Sequence, residues 1–424
     1  MGSEWDIRAR AVLAGGASSP VRAGRRVGGM PFYQTRGEGA LAYDVTGRAY
    51  IDYLMGYGPL LFGYRLPDRE RLMRLFEHGV LFGSTHEAEI ALAERIRAHL
   101  PSMERIRFTT TGTEAVMGAV RLARAVTQRP LVVRFGGNYH GHFDLALLAA
   151  GASAETSDAV RAGIPSGVVA DVRVLRYNDL PALETLLAVE GGRVAAVLIE
   201  PIVGNMGLVM PHDGYLAALA AATRRAGALL IFDEVITWLR LGLAGAQGRL
   251  AVCPDITAIG KILGGGLPIA AFGGRAEVMR FLAPDGPVFT GGTHAGNPLA
   301  VAAGHAVLDE IERSPNLYRD LAARAADLAQ GLREIVASCG LGYPVQHLES
   351  IVDVTFRAGP PVGDAEDAAQ IDRARFAAYY HAMRERGILL PPSSNEVMFL
   401  STEHRDEHIV ETLQAARAAL TATP

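Results

Sequence analysis

The sequence predicts an α/β fold: a large domain with a mostly parallel central sheet, and a smaller α+β domain assembled from both ends of the chain. Three observations carry this expectation. From about residue 84, short apolar runs alternate with amphipathic stretches of helical period. Beyond about residue 310 the texture changes to long helices rich in Ala, Arg, Leu and Glu. Apolar content of 49% with 48 glycines describes a compact α/β enzyme.

Taken in order, residues 38–53 (EGALAYDVTGRAYIDY) read as two short strands around the turn Asp44-Val45-Thr46-Gly47. Strands are expected at 106–109, 131–135, 194–199, 229–232 and 256–259, each separated by a helical stretch. The helix 114–126 shows the pattern: Val116, Ala119, Val120, Ala123 and Val126 make one apolar stripe. Strand–helix alternation of this length implies a parallel sheet covered on both faces. Two strand-like pieces, 351–356 and 397–400, interrupt the C-terminal helices. The expected division is a large domain over 61–310 and a small domain built from 1–60 and 311–424. No internal repeat or low-complexity linker interrupts it.

Charge excludes several function classes. The balance of 41 Lys+Arg against 45 Asp+Glu gives −4, with the arginines dispersed, so no basic face for nucleic acid forms. No apolar run approaches a membrane span, and the start MGSEWDIRAR lacks the apolar core of a secretory signal. Two cysteines, Cys253 and Cys339, make no disulfide framework. A cytoplasmic enzyme acting on a small molecule is the expectation.

Lys261 is the only lysine among the 41 basic residues. Arginine serves at surface and ion-pair positions but keeps its proton throughout the accessible pH range, so it cannot replace a reactive amine. A lysine surviving in such a background marks covalent chemistry. Its setting, Gly260-Lys261-Ile262-Leu263-Gly264-Gly265-Gly266, is a poor helix and a good tight turn.

Ligands of parallel sheets bind at the carboxyl ends of the strands, and four of those positions are chemically loaded. Thr110-Thr111-Gly112-Thr113-Glu114 opens a helix, and reads either as a phosphate seat or as an ordinary capping box. Gly136-Gly137-Asn138-Tyr139-His140-Gly141-His142 offers an aromatic ring to lie flat on a planar cofactor; His140, His142 and Asp144 also admit a metal reading. Asp233-Glu234-Val235 ends a buried strand with a carboxylate, which burial makes costly unless it faces a cation or strong donor. A protonated pyridine nitrogen is such a partner, and a structural ion pair is the alternative. Gly260-Lys261 is followed by Ile262, so it is no Walker-type phosphate loop, and no G-x-G-x-x-G follows the first strand.

Phosphate seat, stacking ring, buried carboxylate and lone lysine together describe a site for pyridoxal 5′-phosphate (PLP, and its amino form PMP), with no metal. In the same order they resemble the class III aminotransferases of PLP fold type I. The resemblance runs nearly end to end: SSPVRA (18–23), EPIVGNMG (200–207), FDEVIT (232–237), GKILGGGLP (260–268), GNPLA (296–300) and Glu396. Within the family these blocks look most like the glutamate-1-semialdehyde 2,1-aminomutase subgroup.

The resemblance implies that Lys261 binds the cofactor covalently, Asp233 partners its ring nitrogen, and Tyr139 and Val235 cover its two faces. It also places His140 in the cofactor site. Thr111, Gly112 and Thr113 would hold the phosphate, with Thr293 reaching it from the second copy of a homodimer. Ser19 and Arg22 match a segment that binds a substrate carboxylate, and Asn205 and Glu396 match further pocket positions. The chain departs from the subgroup at several places. Tyr57 stands where Trp is usual, Tyr64-Arg65-Leu66-Pro67 replaces His-x-His-Pro, and Trp238 stands where glycine is usual. His294-Ala295 replaces Leu-Ser, and Ala152-Ser153 shifts a serine in the lid-like stretch 150–168. Tyr57, Trp238 and His294 are therefore expected to reshape substrate space. The expected activity is amino-group transfer on a small amino acid or amino-aldehyde acid. The alternative is an intermolecular transaminase for a β-amino or aromatic D-amino acid.

Overall fold

The structure, a computed structural model, describes residues 2–148 and 162–422. The chain divides into two compact units: Met1–Arg65, Asn316–Val362 and Gln370–Pro424 in one, Leu66–Pro315 and Gly363–Ala369 in the other.

The first unit holds β1 (Gln34–Glu38), β2 (Leu41–Asp44) and β3 (Ala49–Asp52) as an antiparallel sheet, with the short strand Ile388–Leu389 added parallel to β3. The β2–β3 turn closes because the Asp44 carboxylate accepts from the amides of Thr46 (2.8 Å) and Arg48 (3.2 Å), while Gly47 takes a left-handed φ of 86°. A second sheet pairs Val345–Leu348, Ile351–Val354 and Met398–Phe399. The helices Leu317–Ser338 and Asp406–Ala422 lie close together, since a Cβ at Gly331 would come within 2.4 Å of the Leu413 side chain.

The second unit is built on a seven-stranded sheet. Its strands are β4 (Arg105–Thr109), β5 (Leu131–Phe135), β6 (Val172–Leu175), β7 (Val194–Ile199), β8 (Leu229–Asp233), β9 (Ile256–Ile259) and β10 (Ala270–Gly274). Their order across the sheet is β4-β10-β9-β8-β7-β5-β6. β10 runs antiparallel to both neighbours, and the remaining strands run together. β5, β7, β8, β9 and β10 are buried along their whole length, which is why they read as continuous apolar runs instead of alternating ones. The helix Gly112–Thr127 lays Val116, Ala119, Val120 and Ala123 on the sheet. It meets β10 closely because residue 118 is glycine: a Cβ there would lie 2.6 Å from the Phe272 ring.

Four expected strands have slightly different bounds, and the one at 106–109 begins at Arg105. The strand at 229–232 extends to Asp233, whereas the pieces at 351–356 and 397–400 shorten to Ile351–Val354 and Met398–Phe399. β1, β6 and β10 carry no clear period in the sequence. β10 (AAFGG) has no β-branched residue and two glycines, and becomes a strand only because β4 and β9 flank it.

Candidate active site

Because every strand except β10 runs the same way, the carboxyl ends of β4, β5, β7, β8 and β9 open on one edge of the sheet. Asp233 ends β8 and is 6% exposed. Its Oδ2 accepts from Nδ1 of His140 at 2.8 Å, and its Oδ1 from the Val235 amide at 3.1 Å. Burial pushes the His140 pKa down against the upward pull of Asp233, so the imidazole is neutral and donates one proton to the carboxylate. Its Nε2 is buried and has no partner.

In the sheet Asp233 lies beside Ala258 of β9, and β9 ends two residues before Lys261. Gly260 and Lys261 turn the chain out of the strand; Lys261 has a φ of 44° and opens a single 3₁₀ turn to Gly264. Val235 packs against both this turn and the phosphate-seat segment. A Cβ at Gly260 would lie 3.5 Å from Val235 Cγ1, and one at Gly112 would lie 3.1 Å from both Val235 methyls. The three segments after β4, β8 and β9 thus converge on one valine side chain.

Residues 111–114 form a capping box. Thr111 Oγ1 accepts from the Glu114 amide at 3.2 Å, and Glu114 Oε2 accepts from the amides of Thr110 and Thr111 at 2.8 and 2.9 Å. The box leaves the amides of Gly112 and Thr113 at a helix start, where no intrahelical carbonyl reaches them. Gly141 comes so close that a Cβ would lie 2.4 Å from Thr113 Oγ1, and its φ of 94° also requires glycine. The capping box and the anion seat are therefore two uses of one turn.

The turn after β5 is fixed from below by Glu200, which follows β7 and is 3% exposed. Glu200 accepts from the Tyr139 amide (2.7 Å), the Gly204 amide (3.2 Å) and the Asn205 side-chain amide (2.9 Å to each oxygen). Burial, with the nearby charge of Asp233, pushes its pKa up to about 8. The Tyr139 side chain remains half-exposed on this turn. His140 and His142 face different partners, Asp233 and Thr113 Oγ1 (3.3 Å).

Other expected site residues lie elsewhere. Trp238 has no accessible surface, and its indole N–H donates to the Leu243 carbonyl at 3.0 Å, so the ring fills the interior of its unit and does not line open space. That corrects the expectation that it reshapes substrate space: a fully enclosed ring cannot touch a substrate. Asn205 spends its amide hydrogens on Glu200. Thr293 and His294 are exposed. Ala152 and Ser153 lie outside the described residues.

Ser19, Arg22, Tyr57 and Glu396 belong to the first unit. Ser19 precedes the 3₁₀ turn Pro20–Ala23, which carries Arg22. Arg22 and Tyr57 line a cavity of about 350 Å³. Tyr57 takes a left-handed φ of 68°, as do its neighbours Gly56 and Gly58. The buried Asp52 carboxylate braces this run by accepting from the amides of Leu54 (2.7 Å) and Met55 (3.2 Å). Burial pushes the Tyr57 pKa upward and the charge of Glu396 adds to it, while Arg22 opposes.

Sequence reasoning missed Glu200 as a functional candidate. The signal was present: a carboxylate directly after a buried apolar strand, the same mark that singled out Asp233.

The model of the aminotransferase class-III family matches residues 23–419. The glutamate-1-semialdehyde 2,1-aminomutase of Thermomicrobium roseum is 49% identical over 421 residues, covering 99% of this chain and 97% of its own length. That of Sorangium cellulosum is 46% identical, covering 98% and 95%. Among solved structures, an omega-transaminase from Sphaerobacter thermophilus superposes with a TM-score of 0.91 at 33% identity, covering 99% and 97%. A β-phenylalanine aminotransferase from Variovorax paradoxus gives 0.88 at 29%, covering 99% and 94%. A glutamate-1-semialdehyde aminomutase from Pseudomonas aeruginosa in complex with PMP gives 0.88 at 27%, covering 100% and 94%. With a family model spanning most of the sequence and relatives this similar along their whole length, the chain belongs to the class-III aminotransferases.

Proposed function

We propose that this chain is a PLP-dependent aminomutase that converts glutamate-1-semialdehyde to 5-aminolevulinate. The observation that carries the cofactor reading is the buried Asp233, braced by a neutral His140 and adjacent in the sheet to the strand that delivers the sole lysine. The residues fit the group. A flat ring needs a narrow slot, and Val235 against Gly112 and Gly260 supplies one wall where no larger side chain fits. Similarity to the Thermomicrobium roseum aminomutase, 49% identical over 99% of this chain, supports the particular reaction.

When bound, PLP supplies an electron-withdrawing ring that stabilises negative charge at the substrate carbon. Lys261 would hold the cofactor covalently, and its amine would carry the proton between carbon positions. Asp233 keeps the ring nitrogen protonated, and His140 keeps Asp233 aimed. Val235 and Tyr139 bear on the two ring faces. The amides of Gly112 and Thr113, with the hydroxyls of Thr111 and Thr113, receive the phosphate. Arg22, with Ser19, binds the substrate carboxylate as a bidentate partner. Tyr57, His294 and Glu396 bear on the remainder of the substrate.

Thr293 is assigned to the phosphate of a second copy, and the working state is a cytoplasmic homodimer. Exposed apolar side chains support this: Met73, Phe76, Leu81, Phe82 and Ile90 fall within one stretch, and Phe289 lies four residues before Thr293. Monomers seldom leave such a group in water. Sedimentation is expected to give twice the 45.1 kDa chain mass, and a fully active monomer defeats the assignment.

Incubating the PLP-loaded protein with glutamate-1-semialdehyde is expected to yield 5-aminolevulinate without an added amino donor. A second reading, an intermolecular transaminase for a β-amino or aromatic D-amino acid, draws on the similarity to the omega-transaminase and β-phenylalanine aminotransferase structures. Absence of 5-aminolevulinate, together with bleaching of the cofactor's visible band by such an amino acid, selects the second reading.

A further inference from the structure

β5 is an apolar strand (LVVRF) with an arginine in it, and Arg134 has no accessible surface. Its guanidinium donates to main-chain carbonyls: Nη2 to Asn138 at 2.6 Å, Nη1 to Ala146 and, at 3.5 Å, to Leu145. Among the described residues no carboxylate lies within ion-pair distance of it. Burial pushes its pKa down to about 10 while the charge of Glu200 pulls it up, so at neutral pH it stays a cation.

A buried cation held by carbonyls alone is costly, and a methionine of the same length would pack there at less cost. Two features account for its presence. The fork ties Asn138, the residue before Tyr139 and His140, to the segment 145–146, so the turn bearing the cofactor contacts is fixed at both ends. Arg134 also stands near the buried Glu200 and near the buried His140, whose pKa its charge lowers. His140 and Tyr177, the titratable groups beside Asp233 and Glu200, are both uncharged, since burial lowers the first pKa and raises the second.

We propose that Arg134 is a positioning residue of the cofactor site, which fixes the Tyr139–His140 turn through its guanidinium fork and places a permanent positive charge beside that site. This rests on the PLP reading above. Removing the charge should make any cation at the cofactor easier to form, an effect that a merely space-filling arginine would not have.

The test uses PLP-loaded protein, with Arg134→Met and Arg134→Lys compared with wild type. The pH midpoint of the cofactor's visible absorbance change is read first, then the rate of cofactor release into excess apo-acceptor. Arg134→Met is expected to raise the midpoint by about one pH unit. Arg134→Lys keeps the charge but cannot span Asn138 and Ala146 together. It is expected to leave the midpoint unmoved and to release cofactor about tenfold faster. A folded Arg134→Met holoenzyme with an unmoved midpoint overturns the charge role. If Arg134→Met does not fold, Arg134→Lys decides, and release at the wild-type rate overturns the proposal. A wild-type protein with no visible cofactor band defeats the PLP reading itself, a different result from either.

Discussion

Lys261→Ala is expected to lower kcat by about 10⁴-fold or more, because it removes both the covalent anchor and the proton-carrying amine. No other side chain can substitute: the remaining basic residues are arginines, which hold their protons at any working pH. The protein should nevertheless fold. Lys261 is only partly buried and sits on a turn after β9, not in the packed sheet. The measurement is therefore paired, with turnover set against far-UV circular dichroism and thermal unfolding. The visible band of covalently held cofactor should vanish in the variant. A folded variant that keeps that band, or that turns over within tenfold of wild type, would end the assignment of Lys261 and with it the PLP reading.

Asp233→Asn is expected to lower kcat by about 10³-fold, the scale on which a single preorganised electrostatic contact acts. The substitution keeps size and shape. An amide oxygen at the old Oδ positions can still accept from His140 or from the Val235 amide. What is lost is the negative charge that holds a proton on the ring nitrogen, so the loss should fall on kcat more than on cofactor affinity. Stability should hold or rise, because Asp233 is one cause of the raised Glu200 pKa and removing its charge lessens the cost of ionising Glu200. The combination distinguishes a functional carboxylate from a structural one. If Asp233→Asn unfolds the protein and leaves the activity per folded molecule near wild type, Asp233 is structural.

The large unit was legible because its strands are buried on both faces, and continuous apolar runs such as VAAVLI and LLIFD stand out without any period. Chemistry was legible where a strand ended on an unusual residue, as at Asp233 and Lys261. Two kinds of feature were hidden. β10 has almost no intrinsic strand character and is defined by its neighbours, a tertiary effect that no local window contains. The second-layer groups Glu200 and Arg134 act through backbone amides and carbonyls, and a sequence does not show which amide a side chain will reach. Trp238 failed for a related reason. Position in a motif suggested a pocket wall, but the direction of the ring is set by Leu243, five residues on.

The strand order carries a consequence for how this molecule comes into being. β4 is the first strand of the large unit to be synthesised, yet in the finished sheet it pairs with β10 alone, the last strand. Through the making of more than 150 intervening residues, β4 has no partner to add to. The phosphate seat at its end is therefore written early and assembled late. Such non-local pairing is slow, and it leaves an apolar edge open meanwhile. A nascent chain stopped before Ala270 would hold Asp233 at the end of β8 and Lys261 in the turn after β9, with nothing to anchor the phosphate beside them. Cofactor capture is thus a property of the completed sheet, and binding PLP would act as the final proofreading of the fold.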